Sequence, residues 1–330
     1  MRASVVDAPG GPEVLHLASV AEPKPGPGQV LVRQTVAGIN YIDTSVRRGR
    51  IPHELPFVPG REGVGAIEAV GGDIDGWRVG ERVGYSETPH LGGYAELNVV
   101  PVNELVRIPG DIDDATACAL MLQGITAQYL CADAYRVKPG DAVLVHAAAG
   151  GVGALLVQLA KARGATVIAT AGGPEKVALA REAGADHAID YRAADFAPVV
   201  REITGGAGVA AVYDSVGADT WERSLASLRR RGTLVLYGAS SGRVPPLDIQ
   251  RLGSGGSLYV TRPTATDFKR EPVEFAARTG ELFRRVRDGS LRARIGARYP
   301  LAEAASAHRI WRRERRPASC CWTFDSSGRD

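Results

Sequence analysis

Four cysteines in 330 residues, two methionines and an aromatic content of 6% remove several classes of protein at once. Cys118, Cys131, Cys320 and Cys321 have neither the paired spacing of a zinc module nor the density of a disulfide scaffold. Cys118 and Cys131 are expected to be buried free thiols. No apolar run approaches the roughly 20 residues of a membrane span. The opening MRASVVDAPGGPEVL lacks the apolar core of a signal peptide. A cytoplasmic protein with no membrane partner is the expectation. The body also lacks net charge. Of the overall +3, all is carried between residues 309 and 330, where six arginines face three acids. No field in the body would attract nucleic acid.

What is present is an apolar fraction of 45% against 23% charged, ordinary for a globular chain long enough for two domains. Up to about residue 120 short apolar runs such as QVLVRQTVAGIN, GVGAIEAVG, ERVGYSE and GGYAELNVV are separated by turn residues, as in a compact β-rich domain. Asp113 and Asp114 precede an Ala-rich helical stretch. From Asp141 the rhythm changes to strands alternating with helices. AVLVHA, TVIAT, HAID, AAVYDSV and GTLVLYG read as strands, with helices from about Val152, Pro174, Asp195 and Asp219. This alternation predicts a doubly wound parallel sheet. GSLYVTRP reads as a sixth strand. EPVEFAARTGELFRRVRDGS reads as an amphipathic helix whose face gathers Val273, Ala276, Ala277, Leu282, Phe283 and Val286.

The run HAAAGGVG sits between a predicted strand and helix, the context in which a glycine turn is informative. Gly150 and Gly151 let a backbone approach a pyrophosphate, Gly153 lets the helix pack on the sheet, and Val152 begins the helix. Ala148 stands at the first glycine position of the usual pattern. A second absence bears on the nucleotide. An acid after the second strand would accept from a ribose 2′-hydroxyl and repel a 2′-phosphate. Here Gly172 and Gly173 follow that strand, no carboxylate occurs before Glu175, and Lys176 comes next. Lys176 and Tyr191 are placed to flank a 2′-phosphate, so NADPH is the expected cofactor. Lys176 taken alone reads rather as a solvated helix lysine, and it is the absence of the acid that carries the inference.

Six segments in order, GINYIDTSVRRG, PFVPGREGVGAIEAVG, LQGITAQYL, HAAAGGVG, YDSVG and GSLYVTRP, resemble the zinc-independent NADPH:quinone oxidoreductases, the zeta-crystallin-like branch of the medium-chain dehydrogenase/reductase superfamily. The resemblance runs over about residues 1–309. It implies an α/β chain with a GroES-like β-rich catalytic domain into which a Rossmann doubly wound parallel sheet is inserted. The divisions expected are 1–125 (catalytic, first part), 126–262 (NADPH-binding) and 263–330 (catalytic, second part). It further implies that the nicotinamide lies between the domains, bordered by Asn40, Tyr41, Ile42, Asp43 and Thr44 on the catalytic side. Thr126, Tyr129, Gly151, Val152, Lys176, Tyr191, Ser215, Tyr237, Gly238, Ala239, Ser240, Pro263 and Thr264 follow on the cofactor side.

Zinc-dependent relatives would carry a cysteine near NYID and a His-Glu pair near PGRE. This chain has Arg61-Glu62 and no cysteine before Cys118, and no metal is expected; His53 and His90 read as surface or satisfied residues. A quinone or conjugated enone accepts hydride onto an already delocalised oxygen, so positioning supplies much of the catalysis. Asn40 and Tyr41 are the expected hydrogen-bond donors to that oxygen, Tyr41 packing on the cofactor being the alternative, and Asp43 is expected to orient ribose or nicotinamide. Three functions remain open: an NADPH-dependent quinone or enone reductase, a reductase of conjugated thioesters or natural-product intermediates, and a low-turnover NADPH-binding protein with an RNA-binding or structural role. The expected partner is a small molecule, with assembly into a homodimer or homotetramer. Val46, Ile51, His53 and Leu91 are candidate pocket walls of unknown direction.

After Arg309 the resemblance stops. RIWRRERRPASCCWT, read from one base displaced, has a coding that yields RDLEARAATGKLLLD, which resembles the family ending. A one-base frameshift just after Arg309, real or from sequencing, is therefore inferred; if it is real, a strand is expected to be lost, Glu314 stands where the family has a cofactor-contacting arginine, and NADPH binding and stability are expected to be weakened. A functional basic tail is the alternative.

Overall fold

Apolar strands separated by helices bury both faces when they pair side by side under helical cover. In the computed structural model, which describes residues 1–86, 90–312 and 319–324, six such strands form one sheet. They are Ala142–Val145, Thr166–Ala171, His187–Asp190, Val209–Asp214, Leu228–Leu236 and Tyr259–Thr261. Every pairing is parallel, and the spatial order is third, second, first, fourth, fifth, sixth. The order reverses between the first and fourth strands, the switch point at which such sheets bind ligands. Helices Gly151–Ala162, Pro174–Glu182, Phe196–Ile203 and Trp221–Ser227 follow the strands as the alternation predicts. Asp195 caps the third of them, accepting from the Ala197 N–H at 3.2 Å. Leu144, Ile168, Phe196, Val212, Trp221 and Leu234 make its core. This unit comprises Gln123–Phe268 with Asp288–Arg292.

The other unit comprises Met1–Leu122, Lys269–Arg287 and the described residues from Ala293. Its long strand Gln29–Ile39 pairs antiparallel with Gly63–Val70 and with Leu97–Pro101. Gly63–Val70 continues to Arg82–Tyr85 and that strand to Leu105–Arg107. Arg2–Val6 and Leu15–Ser19 form a separate antiparallel pair.

Three expectations need correction. The helix Pro272–Arg287 buries Phe275, Arg278, Thr279, Leu282 and Phe283, whereas Val273 is 83% exposed and Ala276 and Ala277 face solvent. The buried set follows the three- and four-residue steps of a helix from Phe275, and Val273 lies off that stripe. Secondly, the helical stretch Asp114–Ala134 does have the length and apolar composition of a membrane span, but 89% of that window is buried inside the protein. It is apolar all round because protein surrounds it.

Thirdly, the strand expected to be lost after Arg309 is present. Ser319–Thr323 lies between Ile295–Pro300, to which it is parallel, and Gln29–Ile39, to which it is antiparallel. Trp322 pairs in register with Ala37, is fully buried, and meets Tyr94 edge-on at 4.9 Å between ring centroids. Cysteine, tryptophan and threonine all suit a pleated, buried strand, so the foreign composition still fills the place. Glu314 lies outside the described residues. Cys118, Cys131 and Cys321 are buried free thiols. Trp322→Ala should destabilise the protein by about 3–5 kcal/mol, with Trp322→Phe costing less; urea midpoints of the two variants against wild type check this.

Candidate active site

The strand Ala142–Val145 delivers the chain to His146 and then to a tight turn. Ala147 has φ of 51°, a left-handed conformation that costs an alanine about 1 kcal/mol. The strained residue is thus Ala147, and Ala148, at the position where the usual pattern has glycine, needs none. Gly150 precedes the helix Gly151–Ala162, whose first N–H groups have no partner within the helix. A Cβ on Gly153 would stand 2.4 Å from the Ala147 carbonyl oxygen, so only glycine lets this helix come so near the turn. A Cβ on Gly151 would stand 1.7 Å from Gln123 Oε1. The Gln123 side chain therefore lies over the head of the helix beside Gly151 and Val152, a neighbour that sequence spacing did not reveal.

At the end of the second strand, Gly172 is buried beneath two side chains. A Cβ there would stand 2.5 Å from Tyr191 Oη and 3.2 Å from Arg192 Nε. Gly173, with φ of 90°, donates its N–H to Asp190 Oδ1 at 3.0 Å, and the Arg192 N–H donates to the same oxygen at 3.0 Å. These two backbone donors, with the Arg192 charge, hold the Asp190 carboxyl below its ordinary range. An acid does reach this corner, but from the third strand, and its Oδ1 is occupied by backbone. Tyr191 is 48% exposed here, and Lys176 lies half-buried in the first turn of the helix Pro174–Glu182. Arg192, which sequence reading passed over, completes the group around the glycines.

The fourth and fifth strands end side by side. The Ser215 carbonyl accepts the Ser240 N–H at 3.1 Å, and the Asp214 carbonyl accepts the Tyr237 N–H at 2.9 Å. A Cβ on Gly238 would stand 2.4 Å from the Ser215 carbonyl oxygen. Ser215, Tyr237, Gly238, Ala239 and Ser240 are thus one double turn, with the Tyr237 hydroxyl also hydrogen-bonded to Ser215. Tyr129 is buried and stacks on Phe268 at 4.4 Å with rings 3° from parallel. Thr126 is buried one helical turn before it. Pro263 is buried, and Thr264 is exposed, its hydroxyl donating to Asp267 Oδ2 at 2.9 Å. Arg262 donates to the Leu236 carbonyl at 2.9 Å, tying the sixth strand's end to the fifth.

In the other unit, Asn40 begins the helix Tyr41–Arg47. Asp43 Oδ2 accepts from the Asn40 N–H at 2.8 Å and from the Tyr94 hydroxyl at 3.0 Å. Asn40 Nδ2 donates to Glu62 Oε1 at 2.6 Å, and Glu62 Oε2 accepts the Leu122 N–H at 2.7 Å. Glu62 is fully buried and fits only because residue 38 is glycine, where a Cβ would stand 1.9 Å from Oε1. The amide expected to face an acceptor oxygen is thus directed at a carboxylate, and Asp43 works as a helix cap. The Thr44 hydroxyl donates to the Tyr41 carbonyl at 2.7 Å. Tyr41 packs, half-buried, on a core that includes Val46, Leu91 and Trp322, with Ile42 half-buried next to it. Val46 and Leu91 are therefore core residues, whereas Ile51 and His53 are exposed. His53, stacked edge-on against Phe57, lines a cavity of about 450 Å³ with His90, Glu54 and Asn98.

Tyr94 also meets His308 Nε2 at 3.0 Å, and His308 Nδ1 lies 2.7 Å from Arg47 Nη1. A guanidinium only donates, so Nδ1 accepts and the proton sits on Nε2. Burial, then the charges of Arg47 and Arg48, push the His308 pKa down to about 3. The folded protein keeps this ring neutral while the unfolded chain protonates it near its ordinary value. Its contribution to stability is complete above the unfolded value and is lost as pH falls towards 3, by at most about 1.4 kcal/mol per pH unit. Burial lowers the pKa of His146 as well, with the same sign. His308→Gln should flatten the acid side of the stability profile, read from urea midpoints at a series of pH values.

The description "Alcohol dehydrogenase GroES-like domain" matches residues 26–110, and "Zinc-binding dehydrogenase" matches residues 151–272. A quinone oxidoreductase of Pseudomonas aeruginosa is 45% identical over 300 residues, 91% of this chain and 92% of that one. A 2-haloacrylate reductase of a Burkholderia species is 44% identical over 315 residues, 93% of this chain and 94% of that one. The crystal structure of Escherichia coli quinone oxidoreductase complexed with NADPH matches with a TM-score of 0.95 at 37% identity, covering 98% of this chain and 100% of that one. A GroES-like unit, a doubly wound dinucleotide sheet and relatives alike over nine-tenths of their length make this chain a member of the quinone oxidoreductase family, within the medium-chain dehydrogenase/reductase superfamily.

Proposed function

We propose that the protein reduces quinones or conjugated enones with NADPH, by hydride transfer and without zinc. The observation that carries the cofactor reading is the corner at Gly172, where Tyr191 and Arg192 close over a glycine and the nearby acid is engaged by backbone. Gly150, Gly151 and Gln123 would hold the pyrophosphate at the helix head. Lys176, Tyr191 and Arg192 would hold the 2′-phosphate, and the turns of Ser215 and Tyr237 with Thr126, Tyr129, Pro263 and Thr264 would border the nicotinamide. When bound, NADPH supplies the hydride. The protein's own part is to orient the acceptor and stabilise the charge that develops on its oxygen. That role falls to the Tyr41 hydroxyl, with Asn40, Ile42, Asp43 and Thr44 holding the start of its helix. Zinc is left out because Arg61 stands where the family resemblance places a ligand histidine in zinc enzymes, and Glu62 is held by Asn40 and Leu122.

The Burkholderia relative favours a second acceptor class on the same site, a conjugated carboxylate; a conjugated thioester is the related acceptor to be tested beside it. The outer strand Tyr259–Thr261, with Tyr259 56% exposed, suits pairing with a second copy in a homodimer or homotetramer.

Oxidation of NADPH and of NADH should be followed with 1,4-benzoquinone, with a conjugated thioester and with chelator added. NADPH should be consumed faster with the quinone, and chelator should change nothing. No turnover with either acceptor, or a preference for NADH, would refute the reading. Arg192→Gln should raise KM for NADPH about tenfold and leave NADH unaffected. Tyr41→Phe should lower kcat about tenfold with KM for NADPH unchanged.

A further inference from the structure

We propose that His146 is a positioning residue for the dinucleotide, linking the phosphate-binding turn to the Ser215 turn from beneath; the inference rests on the cofactor reading above. His146 is 1% exposed. It stands at the end of the first strand, at the switch point of the sheet. Its Nδ1 is 2.8 Å from Thr170 Oγ1, on the neighbouring second strand. Its Nε2 is 3.0 Å from Ser224 Oγ, and Ser224 Oγ is 2.9 Å from Asp214 Oδ2, at the end of the fourth strand. Three adjacent strand ends are joined by one imidazole.

The positions of the protons follow from the donors available. Asp214 is fully buried and accepts from the N–H groups of Val216 at 2.8 Å and Gly217 at 3.0 Å, and from the Thr220 hydroxyl at 2.7 Å. It acts as an acceptor throughout, so the single hydroxyl proton of Ser224 is donated to it. Ser224 Oγ must then accept from His146 Nε2–H. Burial keeps the imidazole neutral, with one ring proton, so Nδ1 accepts from the Thr170 hydroxyl. The bonds run one way: Thr170 to His146 to Ser224 to Asp214. No member can turn without leaving a buried polar atom unpaired.

Both ends of this chain of bonds hold a turn of the cofactor site. At one end the Thr170 carbonyl accepts the Ala148 N–H at 3.1 Å, next to the left-handed Ala147. At the other, the two backbone donors on Asp214 set the path of 214–217 and with it the Ser215 carbonyl that receives Ser240. A shift of the imidazole would move the pyrophosphate turn and the nicotinamide turn together.

Thr170→Val keeps the shape of the side chain and removes the hydroxyl; Thr170→Ser keeps the hydroxyl; Ser224→Ala cuts the far link. Each is compared with wild type for Kd of NADPH by fluorescence titration, for KM of NADPH and of 1,4-benzoquinone, and for Tm. Thr170→Val and Ser224→Ala should bind NADPH about tenfold more weakly, with KM for the quinone unchanged, and Thr170→Ser should bind as wild type. Wild-type Kd in both Thr170→Val and Ser224→Ala, with only Tm lowered, would overturn the proposal and leave the functional reading intact. Failure of wild type itself to bind NADPH would overturn both. If Ser224→Ala fails to fold, the contrast of Thr170→Val with Thr170→Ser decides the matter alone.

Discussion

The phosphate turn depends on how closely the helix Gly151–Ala162 comes to the carbonyl of Ala147. Hydrogen at position 153 permits that approach, and any larger group would push the helix away from the strand end. From the approach follow the direction in which the helix's unpaired N–H groups point and the space that Gln123 occupies over Gly151. The left-handed Ala147 is the counterpart of this closeness. Its strain is small beside the burial of the strand and helix it joins, so the surrounding packing holds it in place.

Each unit also spends buried polar groups on geometry. In the sheet unit His146, Thr170, Ser224 and Asp214 are joined by hydrogen bonds, and in the other unit Asn40, Asp43, Glu62, Tyr94, His308 and Arg47 are. Apolar contacts would bury these segments equally well without specifying their angle. Directed hydrogen bonds with one allowed proton arrangement do specify it. Neutral histidines suit the task because each offers one donor and one acceptor on a rigid ring.

The doubly wound sheet was legible because its period is short and its strands are apolar on both faces. The glycine turn was legible because strand and helix flank it in sequence. What escaped depends on contacts between distant residues. Asp190 and Arg192 reach Gly173 and Gly172 from the next strand, Gln123 reaches Gly151 from another helix, and Glu62 reaches Asn40 under Gly38. The helix Pro272–Arg287 was assigned correctly and Leu282 and Phe283 are buried as expected, but the first half of its buried face was misplaced, since two exposed alanines and a valine mimic an apolar stripe. Composition misled in the last segment: a tail unlike the family still supplies a strand, because Trp322 fills the cavity between Ala37 and Tyr94 whatever the origin of the residues.

That strand sits between two others that are far apart in the chain, Gln29–Ile39 and Ile295–Pro300. During synthesis the edge at Ala37 and Gly38 emerges from the ribosome nearly three hundred residues before its neighbour does. The sheet unit, built almost wholly from 123–268, has by then all its strands outside the tunnel. The β-rich segment therefore presents an open strand edge at Ala37 and Gly38 until residues 319–323 have been made, and pairing there joins parts of the chain nearly three hundred residues apart.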